Sequence, residues 1–380
     1  MENRPISSQQ FSALLFLLLI GSVLVYVPGI TAAQSAWIAI LAGAVIGIWV
    51  LYAVISLHEM FPGQRITQIS TLVLGKVPGT ILNILFLWSI FIFACGLLYD
   101  FYILLNFINP AIAVEVLCFI IILTCVYCLY QGLNIIGRLG ELSVWISLIF
   151  LILGIGIALP LADFSNLKPL ASAWKPLAAG TFFSADWPFA IVVVLGLFLP
   201  LVATIKEHTK QIYGWYLISA LLLAILSAET LAILGPELSE STRFPLFLIY
   251  RLIGFGEFRR LELIFLFLWL ISGITPIIIL YQGLNFIVQD IFRLKDYIKL
   301  ILPLGLVLGV FTLYMFPSDM LYDILENKYS PLFTFPVNFL YPTLLLLAAG
   351  IQKKRASSKS TPGSAPARPE KPSLPATRPR

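Results

Sequence analysis

The 380-residue chain is 59% apolar, carries only 11% charged residues and has a mean hydropathy of +0.96. A soluble domain holds about 25% charged residues, so this chain has too little charge to coat a water-facing surface, and its solvent is largely lipid. The net charge of +5 is concentrated in residues 352–380, with eight basic and one acidic residue, while the remainder carries a net −2; no nucleic-acid-binding domain is implied.

Ten apolar runs of about 20 residues or more follow in chain order: 10–33, 35–60, 79–107, 111–131, 139–161, 186–205, 211–235, 260–286, 298–316 and 331–351. They predict an all-α integral membrane domain over 1–351, followed by a disordered, basic, Pro-rich cytoplasmic tail over 352–380. Ten spans place both termini on one side. With that side inside, inner segments hold 17 Lys and Arg residues and outer segments seven, which follows the positive-inside rule. Residues 162–185 and 236–259 are longer outer connections that read as short helices lying on the outer face. The basic tail suits anionic headgroups on the inner face.

Span 1 contains Gly21-Ser22 near its middle and Pro28-Gly29 further out. Span 6 opens on Asp186-Trp187-Pro188 and contains Gly196 and Pro200. In hydrocarbon, broken helices are tolerated only where protein or a cavity covers the freed backbone, and paired breaks mark transport-type sites. Gly21 and Gly196 occupy corresponding points of two five-span halves that run in opposite directions. This predicts a five-plus-five inverted repeat with discontinuous helices 1 and 6. Taken singly, each glycine is equally a packing residue.

Further polar side chains fall in spans 3, 7 and 8. Cys95, Tyr99, Tyr102 and Asn106 share one face of span 3, with Asp100 beside that stripe. A carboxylate there is expected to point into the bundle or a cavity. In span 8, Ser272, Thr275 and Gln282 share a face, with Pro276 loosening the backbone. They can hold a small cation or an amino-acid backbone, or simply join helices; both readings stay open. Glu229 is expected to snorkel or pair near the outer end of span 7. Arg138 and Glu141 are expected to pair across one helical turn. The candidate ligand residues are therefore Gly21, Ser22, Tyr99, Asp100, Tyr102, Gly196, Ser272 and Thr275.

Catalysis finds little support. Two histidines, His58 and His208, argue against a His-rich metal site or a Ser-His hydrolase. Cys125 and Cys128 form a C-x-x-C within an apolar helix without a second pair, and read as buried hydrophobes. Asp319 and Asp323 form a single D-x-x-x-D, without the partner motif that a magnesium-diphosphate enzyme needs. No catalytic residue, metal site or cofactor is expected; a sodium ion or a proton is the one small ligand left open.

Several of these segments resemble the spore-germinant receptor B subunits, the endospore germination permeases of the amino acid/polyamine/organocation superfamily. The resemblance runs from Ile6 to Ile351. It includes Ile6-Ser7-Ser8-Gln9-Gln10, Gly21-Ser22 with Pro28, Ala36-Trp37, Phe61-Pro62, Leu74-Gly75-Lys76, Gly132 with Arg138 and Glu141, and Asn166 to Pro169. Its most specific stretch is Phe244-Pro245, Arg251, Phe258-Arg259-Arg260-Leu261-Glu262 and Trp269. One departure stands in span 6, where Asp186-Trp187-Pro188 replaces a first-turn Glu common in that family.

The resemblance implies an amino-acid-transporter fold and a small nutrient, often an amino acid, bound between helices 1, 3, 6 and 8. It implies an A subunit and a lipoprotein C subunit as partners, in the inner membrane of an endospore. The alternative is a secondary active transporter of amino acids or related solutes.

Overall fold

A computed structural model describes residues 6–24, 26–170, 173–203, 205–253 and 261–359. Helix α1 spans Ser8–Gly21, α2 Ala36–Met60, α3 Ile66–Leu74, α4 Lys76–Ile108, α5 Val114–Gln131 and α6 Leu133–Ala158. After α7 (Trp174–Ser184) come α8 (Ile205–Ser241), α9 (Pro245–Leu252), α10 (Leu261–Phe292), α11 (Ile298–Met315), α12 (Asp319–Ile324) and α13 (Ser330–Lys359). Among the described residues nine helical segments are long and apolar enough to cross a bilayer, and Ser8–Gly21 is a shorter apolar helix. The chain is a multi-pass membrane protein. The face from which α1 starts is called the near face below, and the opposite one the far face.

The packing of the spans shows the inverted repeat. The first span packs on the seventh (α8) as the sixth packs on the second (α2). First meets fifth (α6) as sixth meets tenth (α13), and third (α4) meets ninth (α11) as eighth (α10) meets fourth (α5). Second and seventh, third and eighth, and fourth and ninth each pack directly on their own repeat mates. Exchanging the two halves maps each of these contacts onto another, whereas the extensive packing of the first span on the eighth (α10) has no equal counterpart between the sixth and the third.

Both predicted breaks exist, with corrected borders. Ser7 caps α1: its hydroxyl accepts from the Gln10 amide at 3.0 Å, and Gln10 Oε1 accepts from the Ser7 amide at 3.1 Å, a reciprocal cap that fixes where the helix begins. The helix stops at Gly21, and the chain continues through irregular turns to a 3₁₀ segment, Ile30–Ser35, leading into α2. The sixth span starts at Trp174, not 186. Lys175 and Pro176 fall in the connection 162–185, expected as a short helix on the outer face, yet proline in a first turn has no intrahelical amide to lose and suits the start of a span. Residues 174–184 are thus the first half of a spanning segment, packed on α2. Asp186-Trp187-Pro188 falls mid-span: Trp187 is non-helical (φ −130°, ψ 120°), and a 3₁₀ segment, Ala190–Leu197, follows. Gly196 lies nine residues beyond this break, its Cα turned toward Ile66 and Val54, so it is a packing glycine rather than the counterpart of Gly21.

Other expectations shift as well. Helix α3 lies at the near face against α4 and α13, an element that the span count passed over because it is too short to cross. On the far face α9 matches the amphipathic stretch expected after 236, burying Leu246, Phe247 and Ile249, and Phe164–Leu167 forms one 3₁₀ turn against α8. Glu229 is buried rather than snorkelling, with Oε1 unbonded. Glu141 meets Gln10 (3.5 Å) rather than Arg138; the ion pairs among the described residues are those of Arg65 and Arg243. Helix α13 continues to Lys359, seven residues past the expected start of the tail, and residues 360–380 lie outside the described residues.

Gly21 sits where α1 and α10 touch backbone to backbone: a methyl group there would overlap the Ser272 carbonyl. Gly21→Ala therefore overpacks a rigid contact and should cost about 1–3 kcal/mol. Gly214→Ala, with nothing within 4 Å of the added carbon, should leave stability unchanged or raise it by up to ~1 kcal/mol. Denaturation of the purified variants in detergent checks both.

Candidate functional site

The turns that follow α1, with the Tyr26 amide bonded to the Val23 carbonyl at 3.0 Å, bring Tyr26 to the centre of a polar cluster. Its hydroxyl donates to Asp100 Oδ1 at 2.7 Å, and the Tyr322 hydroxyl donates to the same oxygen. The Tyr26 ring meets Trp187 of the sixth-span break and Phe244 before α9, both at 6.0 Å between ring centres. Asp100 is 3% exposed. Two hydroxyl donors stabilise a carboxylate in such a place, where an unpaired charge would be costly. Four parts of the chain therefore converge on one side chain: both helix breaks, α4 and α12.

This cluster continues to the far face. Tyr99 donates to Asp319 Oδ1 (2.9 Å) and packs its ring on Tyr102, Phe316 and Tyr322. Arg243 bridges Asp319 (3.0 Å) and Asp323 (2.8 Å). The acid pair of the lone D-x-x-x-D is thus an ion-pair partner for one arginine. Burial raises the Asp323 carboxyl above its ordinary range against the opposing pull of Arg243.

A second ionic cluster closes the near face. Asp290, at the end of α10, accepts from Arg65 (3.1 Å), Thr67 (2.5 Å) and Gln68 (3.0 Å) at the start of α3. Arg65 also lies 4.0 Å over the Phe286 ring. Behind it, Asn83 joins Thr67, Ser70 and Tyr341. The N-terminal segment adds a stitch: the Ile6 amide donates to the Leu201 carbonyl (2.8 Å) and the Ala203 amide to the Ile6 carbonyl (3.1 Å). This ties the start of the first span to the end of the sixth.

The eight candidate residues fall into three groups. Gly21, Ser22 and Asp100 lie at or beside the first break, although the Ser22 hydroxyl bonds Leu18 of its own helix at 2.8 Å. Tyr99 and Tyr102 belong to the far-face layer above Asp100. Ser272 touches Gly21 through its backbone, while its hydroxyl returns to Leu268 (2.8 Å); Thr275 is buried one turn on, and Gln282 is buried with neither amide atom bonded. Gly196 stands apart. A cavity borders the break on the side of α8 and α9, lined by Val23, Tyr26, Val27, Ser227, Thr230 and Leu246. The Ser227 hydroxyl is buried there without a partner. Sequence reasoning missed Tyr26, Tyr322, Arg243 and Asp290. An intramembrane Asp implies a partner, but a tyrosine 74 or 222 residues away carries no local signal.

The two closures differ in burial. Side-chain exposure is 16% and 9% for Arg65 and Asp290, against 27%, 43% and 46% for Arg243, Asp319 and Asp323. Removing one member of a buried, hydrogen-bonded pair costs about 3–5 kcal/mol, whereas an exposed pair contributes about 0–1 kcal/mol. Asp290→Ala should therefore destabilise the purified chain far more than Arg243→Ala in denaturation measurements, and the reverse order would contradict this ranking.

Comparison with known proteins agrees with this architecture. Residues 5–352 match the family described as Spore germination protein. Spore germination protein KB of Bacillus subtilis (strain 168) is 25% identical over 366 residues, covering 93% of this chain and 97% of that protein. Putative spore germination protein YfkT of the same organism is 22% identical over 83% of this chain and 87% of its own length. Among solved structures, Mhp1, a nucleobase-cation-symport-1 family transporter in a closed conformation with bromovinylhydantoin bound, superposes with a TM-score of 0.60 at 14% identity, covering 94% of this chain and 93% of that one. That likeness establishes a transporter fold, and the family match spans nearly the whole chain, which therefore belongs to the spore germination permease family.

Proposed function

We propose that this protein is the ligand-sensing membrane subunit of a spore nutrient-germinant receptor. It binds a small nutrient, most simply an amino acid, beside the broken first span, and passes the resulting change of shape to an A subunit and a lipoprotein C subunit. The setting is the inner membrane of the endospore, with both termini on the cytoplasmic side. The observation that carries this reading is the buried Tyr26–Asp100–Tyr322 cluster where both helix breaks meet, in a member of a germination family.

Chemistry supports an amine-bearing ligand. Asp100 has hydroxyl donors but no basic side chain bonded to it among the described residues. A ligand ammonium would supply the missing positive charge and could exchange with the Tyr26 hydroxyl. Binding shifts the equilibrium between shapes only if the ligand prefers one of them. The far-face ion pairs lie directly above the cluster, so a ligand that displaces Tyr26 or Tyr322 also disturbs Tyr99, Asp319 and Arg243. That gives binding a route to the surface.

A transporter reading is favoured by one observation, the superposition on a transporter over 94% of the chain. Solute uptake by the purified chain in liposomes, together with normal germination of spores lacking it, would establish that reading over ours. For the receptor, a germination screen over nutrients with the deletion strain identifies the ligand. Asp100→Asn should then raise the concentration needed for half-maximal germination by about ten- to hundredfold, the equivalent of one charge-assisted hydrogen bond of ~1.5–3 kcal/mol. An unchanged dose-response would remove Asp100 from the site.

A further inference from the structure

Below the Tyr26 cluster lies a second set of acids that the proposed ligand site does not use. Asp186, in the sixth-span break, is 1% exposed; its Oδ2 accepts from Thr334 of α13 at 2.6 Å, while Oδ1 is buried and unbonded. Glu326 stands in the π-helical turn Leu325–Tyr329 that leads into α13. Its Oε1 is also buried and unbonded, and lies 2.9 Å from where a methyl on Gly96 of α4 would sit. Asp100 and Asp186 are both near enough to Glu326 for the carboxylates to repel one another.

Ser330 adds an independent, uncharged oxygen. It is 9% exposed, sits one turn after Glu326 and one before Thr334 on the same face of α13, and turns its hydroxyl toward Glu326 without a well-formed hydrogen bond. Among the described residues no ion pair reaches Asp186 or Glu326, because Arg243 is engaged with Asp319 and Asp323 and Arg65 with Asp290. A buried carboxylate and a half-buried one, with no counter-charge bonded to either among the described residues, are costly to keep ionised. A positive charge between them removes that cost. The donors are all hard oxygens, the set that alkali and other hard cations take.

We propose that Asp186 and Glu326, with the Ser330 and Thr334 hydroxyls, form a binding site for a small inorganic monovalent cation between the sixth-span break and the start of α13. Occupancy fastens the break to the last span. The site is distinct from the face of Ser272 and Thr275 suggested by the sequence, which belongs to α10; the Thr334 hydroxyl also lies 2.8 Å from the Ser330 carbonyl of its own helix.

The test is thermal unfolding of the purified full-length chain in detergent at fixed pH and ionic strength, with sodium, potassium or lithium exchanged against choline. Choline is too large for a site this closely packed. A saturable rise in Tm with at least one alkali ion over choline is expected, because a ligand that binds only the folded state stabilises it. Asp186→Asn and Glu326→Gln should each raise the half-saturating concentration by about tenfold or more. Gly96→Ala retains both acids but displaces the flexible end of Glu326, so it should fold and still lose the response. Asp319→Asn, outside the site, should retain it.

A Tm that follows pH alone, with no difference between alkali ions and choline, would mean that protons neutralise the pair, and would overturn the proposal. Equal cation responses in wild type, Glu326→Gln and Gly96→Ala would overturn it too. The measurement involves neither germinant nor partner subunits, so its outcome is independent of the receptor reading.

Discussion

Hydrocarbon offers no hydrogen bonds, so backbone released by a broken helix must be enclosed by protein. That constraint organises this molecule. The described residues 22–24 and 26–29 and the turn around Trp187 each leave regular α-helix inside a bundle of otherwise apolar helices. The chain surrounds them with its few polar side chains. Tyr26, Asp100 and Tyr322 meet at the first break, and Asp186, Thr334, Ser330 and Glu326 at the second. A protein that is 11% charged therefore keeps a disproportionate share of its acids in the interior. This is the opposite of what solubility would demand and the usual mark of function in a membrane protein.

Broad architecture was readable because lipid imposes it. Runs of about 20 apolar residues cannot hide, and Gly21-Ser22 and Asp186-Trp187-Pro188 interrupt two of them visibly. The sixth span was misplaced by twelve residues for a specific reason. Lys175-Pro176 suits a short helix on the outer face by composition, and only the helical segments on both sides of Trp187 reveal it as the first turn of a span. The spacing of Gly21 and Gly196 suggests an equivalence, whereas the packing of α1 and α7 matches Gly21 with the break at Trp187. Helix α3 was missed because nine residues leave no span-length signal.

Site residues were legible to the extent that they are expensive. Asp100 stood out as a carboxylate in mid-span, and the structure gives it two tyrosine partners. Its neighbours Tyr99 and Tyr102 share the helical stripe and belong to the same layer. Tyr26 and Tyr322 did not stand out, since tyrosine is cheap at many depths of a membrane protein. Glu326 and Arg243 lay in segments that read as outer loops. What brings them into the clusters is the way α12 and the residues before α9 fold back over the far end of the bundle, a tertiary event with no local pattern.

The two ionic closures differ in what it costs to part them. Each break is covered from one face by a cluster that must come apart before that face can open. At the near face, Asp290 accepts three hydrogen bonds from the first turn of α3, and the Ile6 stitch joins the two broken spans. At the far face, Arg243 holds two carboxylates that water already reaches. Solvent screens the far pairs and leaves the near ones strong. Opening toward the far face is therefore the cheaper motion, and it uncovers the Tyr26 cluster while leaving the near-face closure intact. The unequal burial of the two ionic closures thus sets which end of the two breaks parts first.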